Sequence, residues 1–177
     1  QVRPGRTLFV STLGNNATGL YESYTLHFLT LDAAIAALVT DTDTIICHQQ
    51  DVTINTDLPL GITQLNLFLY PDVILDIDTG TLASCAILNI FGDGNLIGDG
   101  DFLSNTTLRT VNIFCDSDTF VNVVFAAKSL DQYITCTQKF QINGNVAISG
   151  CTGNLTINAG VIDILVLHAQ QWFYTPV

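Results

Sequence analysis

The sequence predicts an all-β chain whose short strands stack into a solenoid, with one helix in front of the stack. Similar stretches recur at a spacing of about 22 residues, which is typical of repeat architectures. Asp51–Asp57 is matched by Asp72–Asp78 and again by Asn95–Asp101. Turn residues separate these stretches, and the Gly and Asn among them suit sharp corners. The one stretch with a helical pattern precedes the repeat.

Residues 1–43 contain a short strand, a loop rich in Gly, Asn, Ser and Thr, and the helix. Thr30 is suited to be the N-cap of this helix. The apolar side chains that follow fall on one helical face, at Leu31, Ile35 and Leu38. A stack of strands exposes unpaired backbone at its first end unless something covers it. We therefore expect residues 29–40 to form a capping helix over that end.

The repeat occupies residues 44–172, and residues 173–177 form a C-terminal tail. We expect about six coils, each with two short strands, a turn between them and a looser third segment. The predicted turns include Gly92–Gly94, Asp116–Asp118 and Asn143–Gly144. The length suits one domain overall.

Composition excludes several classes of function. The chain has sixteen acidic and five basic residues and a net charge of −11, so no nucleic-acid partner is expected. An anionic membrane surface would repel such a chain, and no apolar stretch is long enough for membrane insertion. The chain starts at Gln1 and contains no Met, which favours a processed product or a piece of a longer protein.

The cysteines have no zinc-site spacing. They are Cys47, Cys85, Cys115, Cys136 and Cys151. Cys47, Cys115 and Cys136 fall at the same place in the repeat, so we expect them to stack on one interior ladder as buried thiols. A structural disulfide is the alternative, and the odd number leaves at least one thiol without a partner in this chain.

Three acids, Asp93, Asp99 and Asp101, would lie close together in one coil. We interpret them as turn residues in a Gly-rich corner. One alternative is a set of catalytic carboxylates that act as acid and base on a polysaccharide. Another is a calcium site, because carboxylate oxygens suit that ion. No other metal or cofactor is indicated, and the histidines are interpreted as packed or surface residues, at His27, His48 and His168.

The runs Leu8–Gly19, Phe28–Leu38 and Asp43–Ile46 resemble the opening of right-handed parallel β-helix proteins of the pectin-lyase-like superfamily. There, a strand and a Gly/Asn-rich loop precede the pattern P-F-x-T-I-x-x-A-I-x-x-A, and G-D-T-I enters the first coil. Here His27 stands where that pattern has Pro. Phe91–Gly100 is similar to the G-x-G-x-I-x-G-x-G coil of the same superfamily. The resemblance implies a right-handed parallel β-helix of about six coils with an N-terminal capping α-helix.

That superfamily hosts lyases, hydrolases, phage tailspikes, adhesins and capsid-associated spikes, so the resemblance implies more about fold than about function. The short stack, the sparse charge and the lack of long side loops favour a non-enzymatic domain. We expect a viral or phage spike, fibre or capsid-associated structural protein, located on the virion surface or outside cells.

The expected partners are further copies of the chain, with a trimer as one form, and a host surface glycan or receptor or other virion proteins. Three tyrosines are the candidate glycan-contacting residues, Tyr21, Tyr24 and Tyr133. The alternatives are a small polysaccharide lyase or glycoside hydrolase, with Asp99 and Asp101 among its catalytic acids, and a bacterial surface adhesin.

Overall fold

The computed structural model describes residues 5–20, 23, 25–77, 82–98, 107–120, 123–126, 132–149, 155–168 and 173–174. These residues form eleven strands and one helix. In chain order they are β1 (Thr7–Val10), α1 (Leu31–Ala36), β2 (Thr44–Cys47), β3 (Val52–Thr53), β4 (Gln64–Leu69), β5 (Ile74–Ile77), β6 (Ile87–Gly98), β7 (Thr110–Phe120), β8 (Val123–Ala126), β9 (Gln132–Ser149), β10 (Leu155–His168) and β11 (Phe173–Tyr174). The described part of the chain is mostly β with one short helix, as the sequence predicts.

Every strand pairing between the described residues is parallel. The strands belong to one curled sheet, whose main path is β1-β2-β4-β6-β7-β9-β10-β11. Away from this path, β3 pairs with β5, β5 pairs also with β6, and β8 pairs with β9. Parallel neighbours cannot be joined by a tight hairpin, so the chain has to leave the sheet and return before each new pairing.

The pairing confirms the repeat period. Ile45 is opposite Leu67, Leu67 is opposite Ile90, Ile90 is opposite Ile113, and Ile113 is opposite Cys136. Register partners along this column are one repeat apart in the sequence. The residues that match each other in the sequence therefore lie side by side in the sheet.

One side of the sheet forms the hydrophobic core. In β4 the side chains of Leu65, Leu67 and Leu69 are fully buried, whereas Gln64 and Phe68 point the other way and are only partly covered. Successive side chains of a strand point to opposite faces, and β2, β5 and β6 show the same alternation of buried and partly buried residues, which gives these strands one continuous apolar side. Removal of this apolar surface from water is the main stabilising contribution.

The predicted helix is confirmed, but it is shorter than the expected residues 29–40 and spans Leu31–Ala36. The edge of β2 that it was expected to cover is paired with β1 instead. The Thr30 hydroxyl accepts a hydrogen bond from the amide of Ala33 at 3.3 Å. The predicted apolar face is buried, at Leu31, Ile35 and Leu38. The helix contacts β1, β2 and β3, and its Asp32 carboxylate accepts a hydrogen bond from the Asn55 amide at 3.0 Å. It therefore packs on the first strands of the repeat.

The sheet begins earlier than the sequence indicates. The strand β1 pairs in parallel with β2, with Leu8 opposite Ile45. These partners are separated in the sequence by much more than one repeat, because the loop and α1 lie between them. Phe28 adds a parallel bridge to Val10 on β1. Residues 5–43 thus contribute an enlarged first segment to the same sheet.

Three predicted turns lie within continuous strands. The strands β6, β7 and β9 run through Gly92–Gly94, Asp116–Asp118 and Asn143–Gly144. Between β6 and β7 the register shifts after Phe91 and resumes at Asn95. Gly92 has a φ of 100°, and a β-carbon there would overlap the carbonyl oxygen of Leu69. Glycine lets the chain bend there while it stays in the sheet, so the prediction of interrupted strands was wrong for these segments.

The prediction of one ladder for three cysteines was also wrong. Cys47 is opposite Leu69, whereas Cys136 is opposite Ile113 and not opposite Cys115. The cause is the spacing. The register partners Ile113 and Cys136 are further apart in the sequence than Cys115 and Cys136 are. The prediction of burial is confirmed for three cysteines whose side chains the structure describes, at Cys47, Cys85 and Cys115. Cys151 lies outside the described residues.

Candidate binding face

The outward side of β4, β6 and β7 carries aromatic and amide side chains. We call this surface the aromatic face. Including one residue just after β4 and one in β9, it consists of Gln64, Asn66, Phe68, Tyr70, Ile87, Asn89, Phe91, Thr110, Asn112, Phe114 and Tyr133. None of these side chains is charged. The parallel register aligns similar side chains on neighbouring strands, so the face consists of rows that run across the sheet.

One row consists of three phenylalanines. Phe68 is opposite Phe91, and Phe91 is opposite Phe114. The rings of Phe91 and Phe114 are stacked, with centroids 5.1 Å apart and an interplanar angle of 1°. Phe68 and Phe114 are each 39% exposed. Because Phe is among the residues most often buried, a contiguous row of partly exposed phenylalanines marks a surface suited to an apolar contact.

A second row consists of asparagines. Asn112 donates a side-chain hydrogen bond to the Asn89 side-chain oxygen at 2.8 Å, and Asn89 donates in the same way to Asn66 at 2.9 Å. Asn66 in turn donates to the carbonyl oxygens of Asp41 at 2.8 Å and Asp43 at 2.9 Å. Each link between asparagines joins neighbouring strands, so this row fixes the register. It also places amide groups beside the phenylalanine row.

A third row leaves the aromatic face at Tyr70 and leads to β1. The ring centroids are 5.7 Å apart between Tyr70 and His48, 5.0 Å between His48 and His27, and 5.5 Å between His27 and Phe9. The Nδ1 atom of His27 shares a hydrogen bond of 2.7 Å with the Ser11 hydroxyl. The contact between His27 and His48 was not predicted from the sequence, although the separation of these histidines is close to the repeat period.

The surroundings of His48 disfavour its charged form. Burial lowers the pKa of His48 first, and the neighbouring His27 lowers it further. The Asp72 carboxylate acts in the opposite direction but does not reverse the shift. This carboxylate also accepts a hydrogen bond from the Gln49 amide at 3.1 Å. The imidazole of His48 is therefore held in its neutral form to a lower pH than usual.

The contact between Ser11 and His27 is not a nucleophile–base pair that a substrate could use. Ser11 is 0% exposed. Its hydroxyl oxygen also accepts a hydrogen bond from the Leu13 amide at 3.3 Å. Nucleophilic catalysis needs an oxygen that can reach the substrate, so this hydrogen bond holds the loop after β1 in place.

The structure describes only part of the predicted site. Tyr133 is 44% exposed and lies opposite Thr110, which places it on the aromatic face. Asp93 is exposed. Four other candidates lie outside the described residues, and they are Tyr21, Tyr24, Asp99 and Asp101. Within the part of the chain that the structure describes, no group of three or more His, Cys, Asp or Glu side chains is placed to hold a metal ion.

Several acids accept hydrogen bonds from the backbone of a neighbouring segment. Asp41 accepts from the amides of Thr63 at 2.7 Å and Gln64 at 3.0 Å, and Asp51 accepts from the amide of Ile74 at 2.9 Å. These contacts span 22 or 23 residues, the length of one repeat. Part of the acidic composition therefore holds neighbouring segments together, a role that the sequence analysis did not anticipate.

Asp43 joins the first segment of the sheet to the turn before β2. Its carboxylate is 2.9 Å from the Arg6 guanidinium and accepts hydrogen bonds from the amides of Arg6, Val39 and Thr40 and from the Thr40 hydroxyl. Burial alone raises the pKa of Asp43, but these donors, with Arg6 foremost, hold it well below its usual range. Asp43 is therefore a structural anion.

Comparison of the chain with known protein families, curated proteins and solved structures found no match. Among the described residues no helix is long and apolar enough to cross a membrane. The aromatic face offers a ligand the faces of aromatic rings for apolar contact and side-chain amides for hydrogen bonds, without a charged group.

Proposed function

We propose that the protein is a non-enzymatic structural module of a viral or phage spike, fibre or capsid, and that it binds a neutral glycan through the aromatic face. In this proposal the curled sheet is a right-handed parallel β-helix of about six coils. Parallel pairing between strands that are one repeat apart supports that fold, because the coils of a solenoid stack on their sequence neighbours. The resemblance of the N-terminal runs to the pectin-lyase-like superfamily supports it as well.

The observation that carries the binding proposal is the phenylalanine row beside the asparagine row. A pyranose ring has an apolar C–H face, which can stack on the rings of Phe68 and Phe114. Its hydroxyl groups can exchange hydrogen bonds with nearby amides such as Asn112. Aromatic side chains suit such contacts because they bring a large apolar area in a rigid shape. The net charge of −11 repels acidic sugars, so the favoured ligand is uncharged.

The proposal also includes self-association, with a trimer as the form to test, and a location on the virion surface or outside cells. Sedimentation velocity of the purified chain gives its mass in solution. A mass of one protomer at all concentrations would contradict self-association but not glycan binding.

The test of glycan binding is an array of neutral and acidic glycans, followed by calorimetry on the best ligand. Phe114→Ala and Phe68→Ala are each expected to weaken binding about tenfold, or about 1.4 kcal/mol, because each removes one stacking ring. Leu60→Ala is the matched control, since Leu60 is fully exposed in a turn outside the aromatic face. Equal affinities of all three variants and the wild type, or preference for acidic glycans, would refute the proposed site.

The alternatives give different results in the same experiment. A polysaccharide lyase or hydrolase would release unsaturated or reducing ends from its ligand, and Asp93→Asn with Asp99→Asn and Asp101→Asn would abolish that release. A bacterial adhesin would bind without cleavage, and its gene would encode an export signal and many more coils. Binding without cleavage by a trimer is the outcome that the spike proposal predicts.

A further inference from the structure

The contact between two imidazoles holds the N-terminal loop on the sheet. His27 directly precedes Phe28, whose amide donates to the carbonyl of Phe9 at 2.8 Å and whose carbonyl accepts from the amide of Ser11 at 3.1 Å. These bonds attach the loop to the outer edge of β1. His48 follows β2 and donates its amide to the Val10 carbonyl at 3.0 Å. The two rings therefore connect the loop, β1 and β2 on one surface.

We propose that His27 and His48 form an acid-sensitive contact, which holds the end of the loop, residues 25–28, on β1 at neutral pH and loosens it when both imidazoles are protonated. With centroids 5.0 Å apart in an edge-on arrangement, two neutral rings attract each other. Two imidazolium rings at that distance repel, and neither is open enough to water to be fully screened, since both are half-buried. The repulsion acts directly beside the backbone hydrogen bonds that Phe28 makes with Phe9 and Ser11, so these are the bonds that it can loosen.

The groups around the two rings do not cancel this repulsion. On the β4 side, Asp72 is the charged neighbour that favours the protonated form of His48, and the Tyr70 ring packs on the same imidazole. On the β1 side, His27 packs on Phe9 and shares a hydrogen bond with the Ser11 hydroxyl. The balance of these surroundings lowers the pKa of His48, with burial as the largest cause.

The direction of the pH effect follows from this shift. A histidine whose pKa is lower in the folded than in the unfolded chain binds fewer protons when folded. The stability it contributes is therefore complete above the unfolded value of about 6.5 and is lost as the pH falls below that value. This range includes the mildly acidic conditions in which histidine acts as a switch.

The consequence for ligand binding rests on the proposed function. Tyr70 belongs to the aromatic face and packs on His48, so movement of this imidazole also changes the end of the face nearest to β1. Glycan affinity should then fall on acidification, in parallel with loosening of the loop. The structural effect itself does not depend on any ligand.

Amide hydrogen exchange without ligand, at about pH 7.5 and about pH 5 and corrected for intrinsic rates, tests the structural effect. The amides of Phe28 and Ser11 should lose about tenfold to a hundredfold in protection at the lower pH, as two charges at this separation allow. The Asn95 amide, which donates to the Val73 carbonyl at 3.0 Å, serves as the internal reference and should not change selectively. Unchanged protection of Phe28 and Ser11 in the wild type would overturn the proposal.

Variants assign the effect to the histidine pair. His48→Gln and His27→Gln should each remove most of the pH dependence, and the matched control His168→Gln should keep it. If a pair variant does not fold, the wild type and His168→Gln still decide, through the protection of the Phe28 and Ser11 amides at the two pH values. A pH effect that persists in both pair variants would overturn the assignment. Loss of protection without any glycan binding would refute the proposed function and leave this inference intact.

Discussion

Replacement of Asp43 by Asn should lower the free energy of unfolding through the loss of buried contacts between Arg6, the turn before β2 and this carboxylate. Asp43 is 2% exposed, and its side chain accepts five hydrogen bonds, from three backbone amides, the Thr40 hydroxyl and the Arg6 guanidinium. Asn keeps the shape but replaces one acceptor oxygen by a donor. At least two of these donors then face another donor, and the guanidinium loses its counter-charge.

The expected loss is about 3 kcal/mol, at the low end for a broken buried ion pair because the Arg6 side chain is still partly exposed. For a chain of this size such a loss lowers the melting temperature by about 6 to 12 °C. Urea unfolding at neutral pH measures the free energy directly. Asp93→Asn is the matched control: Asp93 is exposed, and its replacement should change stability by about 0.5 kcal/mol or less.

The pH dependence provides a second check on Asp43. Its pKa is lower in the folded chain, so its contribution is complete above the unfolded value of about 3.9 and is lost as the pH falls below it. The difference between wild type and Asp43→Asn should therefore shrink below about pH 4. A loss at neutral pH of less than about 1 kcal/mol, as for an exposed ion pair, would refute the reasoning. A loss of stability equal to that of the control Asp93→Asn would also refute the reasoning.

Two further predictions concern the backbone and the thiols. Gly92→Ala should lower the free energy of unfolding by about 2 kcal/mol or more, since φ is 100° and a β-carbon would overlap the Leu69 carbonyl. Gly61 has a φ of 90° and open space around it, so Gly61→Ala should lower it by only about 1 kcal/mol in the same urea titration. Equal losses for the two variants would contradict the steric argument. Burial raises the pKa of the thiols of Cys47 and Cys85 to about 12. A thiol reagent at neutral pH should therefore label them only as fast as the chain unfolds. Site-resolved mass spectrometry measures this labelling, and rapid labelling of either residue in the native protein would contradict the prediction.

The features that the sequence could predict are those that depend on nearest neighbours or on the repeat. The cap helix followed from Thr30 and three apolar positions, because an N-cap and an amphipathic face are local properties. The stacking of strands one repeat apart followed from a spacing of about 22 residues, whereas their parallel direction was implied only by the resemblance to the pectin-lyase-like superfamily. Phe68, Phe91 and Phe114 recur at equal intervals of one repeat, so the phenylalanine row could have been found by the same reasoning.

Other features depend on geometry that the period alone does not give. The interval between Cys115 and Cys136 is slightly shorter than one repeat, so Cys136 lies opposite Ile113 instead of Cys115. No local signal in the sequence marks such a shift of register. The strands continue through Gly92 because a register shift absorbs the bend, which composition cannot distinguish from a turn. The contact between His27 and His48 depends on how the long loop returns to β1, and a loop path cannot be read from residue preferences.

The carboxylates that reach the next segment also limit how the length of this chain can change. Asp41 and Asp51 meet backbone amides 22 or 23 positions further on, so each contact is defined by a whole repeat. Removal of one residue within a strand would turn the side chains that follow it from the core to the solvent, until a register shift such as the one between β6 and β7 restores the pattern. Removal of a complete repeat would bring an equivalent amide to the same carboxylate. Insertions and deletions within the stack are therefore compatible with the fold mainly in units of a full repeat, so relatives of different length should differ in their number of segments.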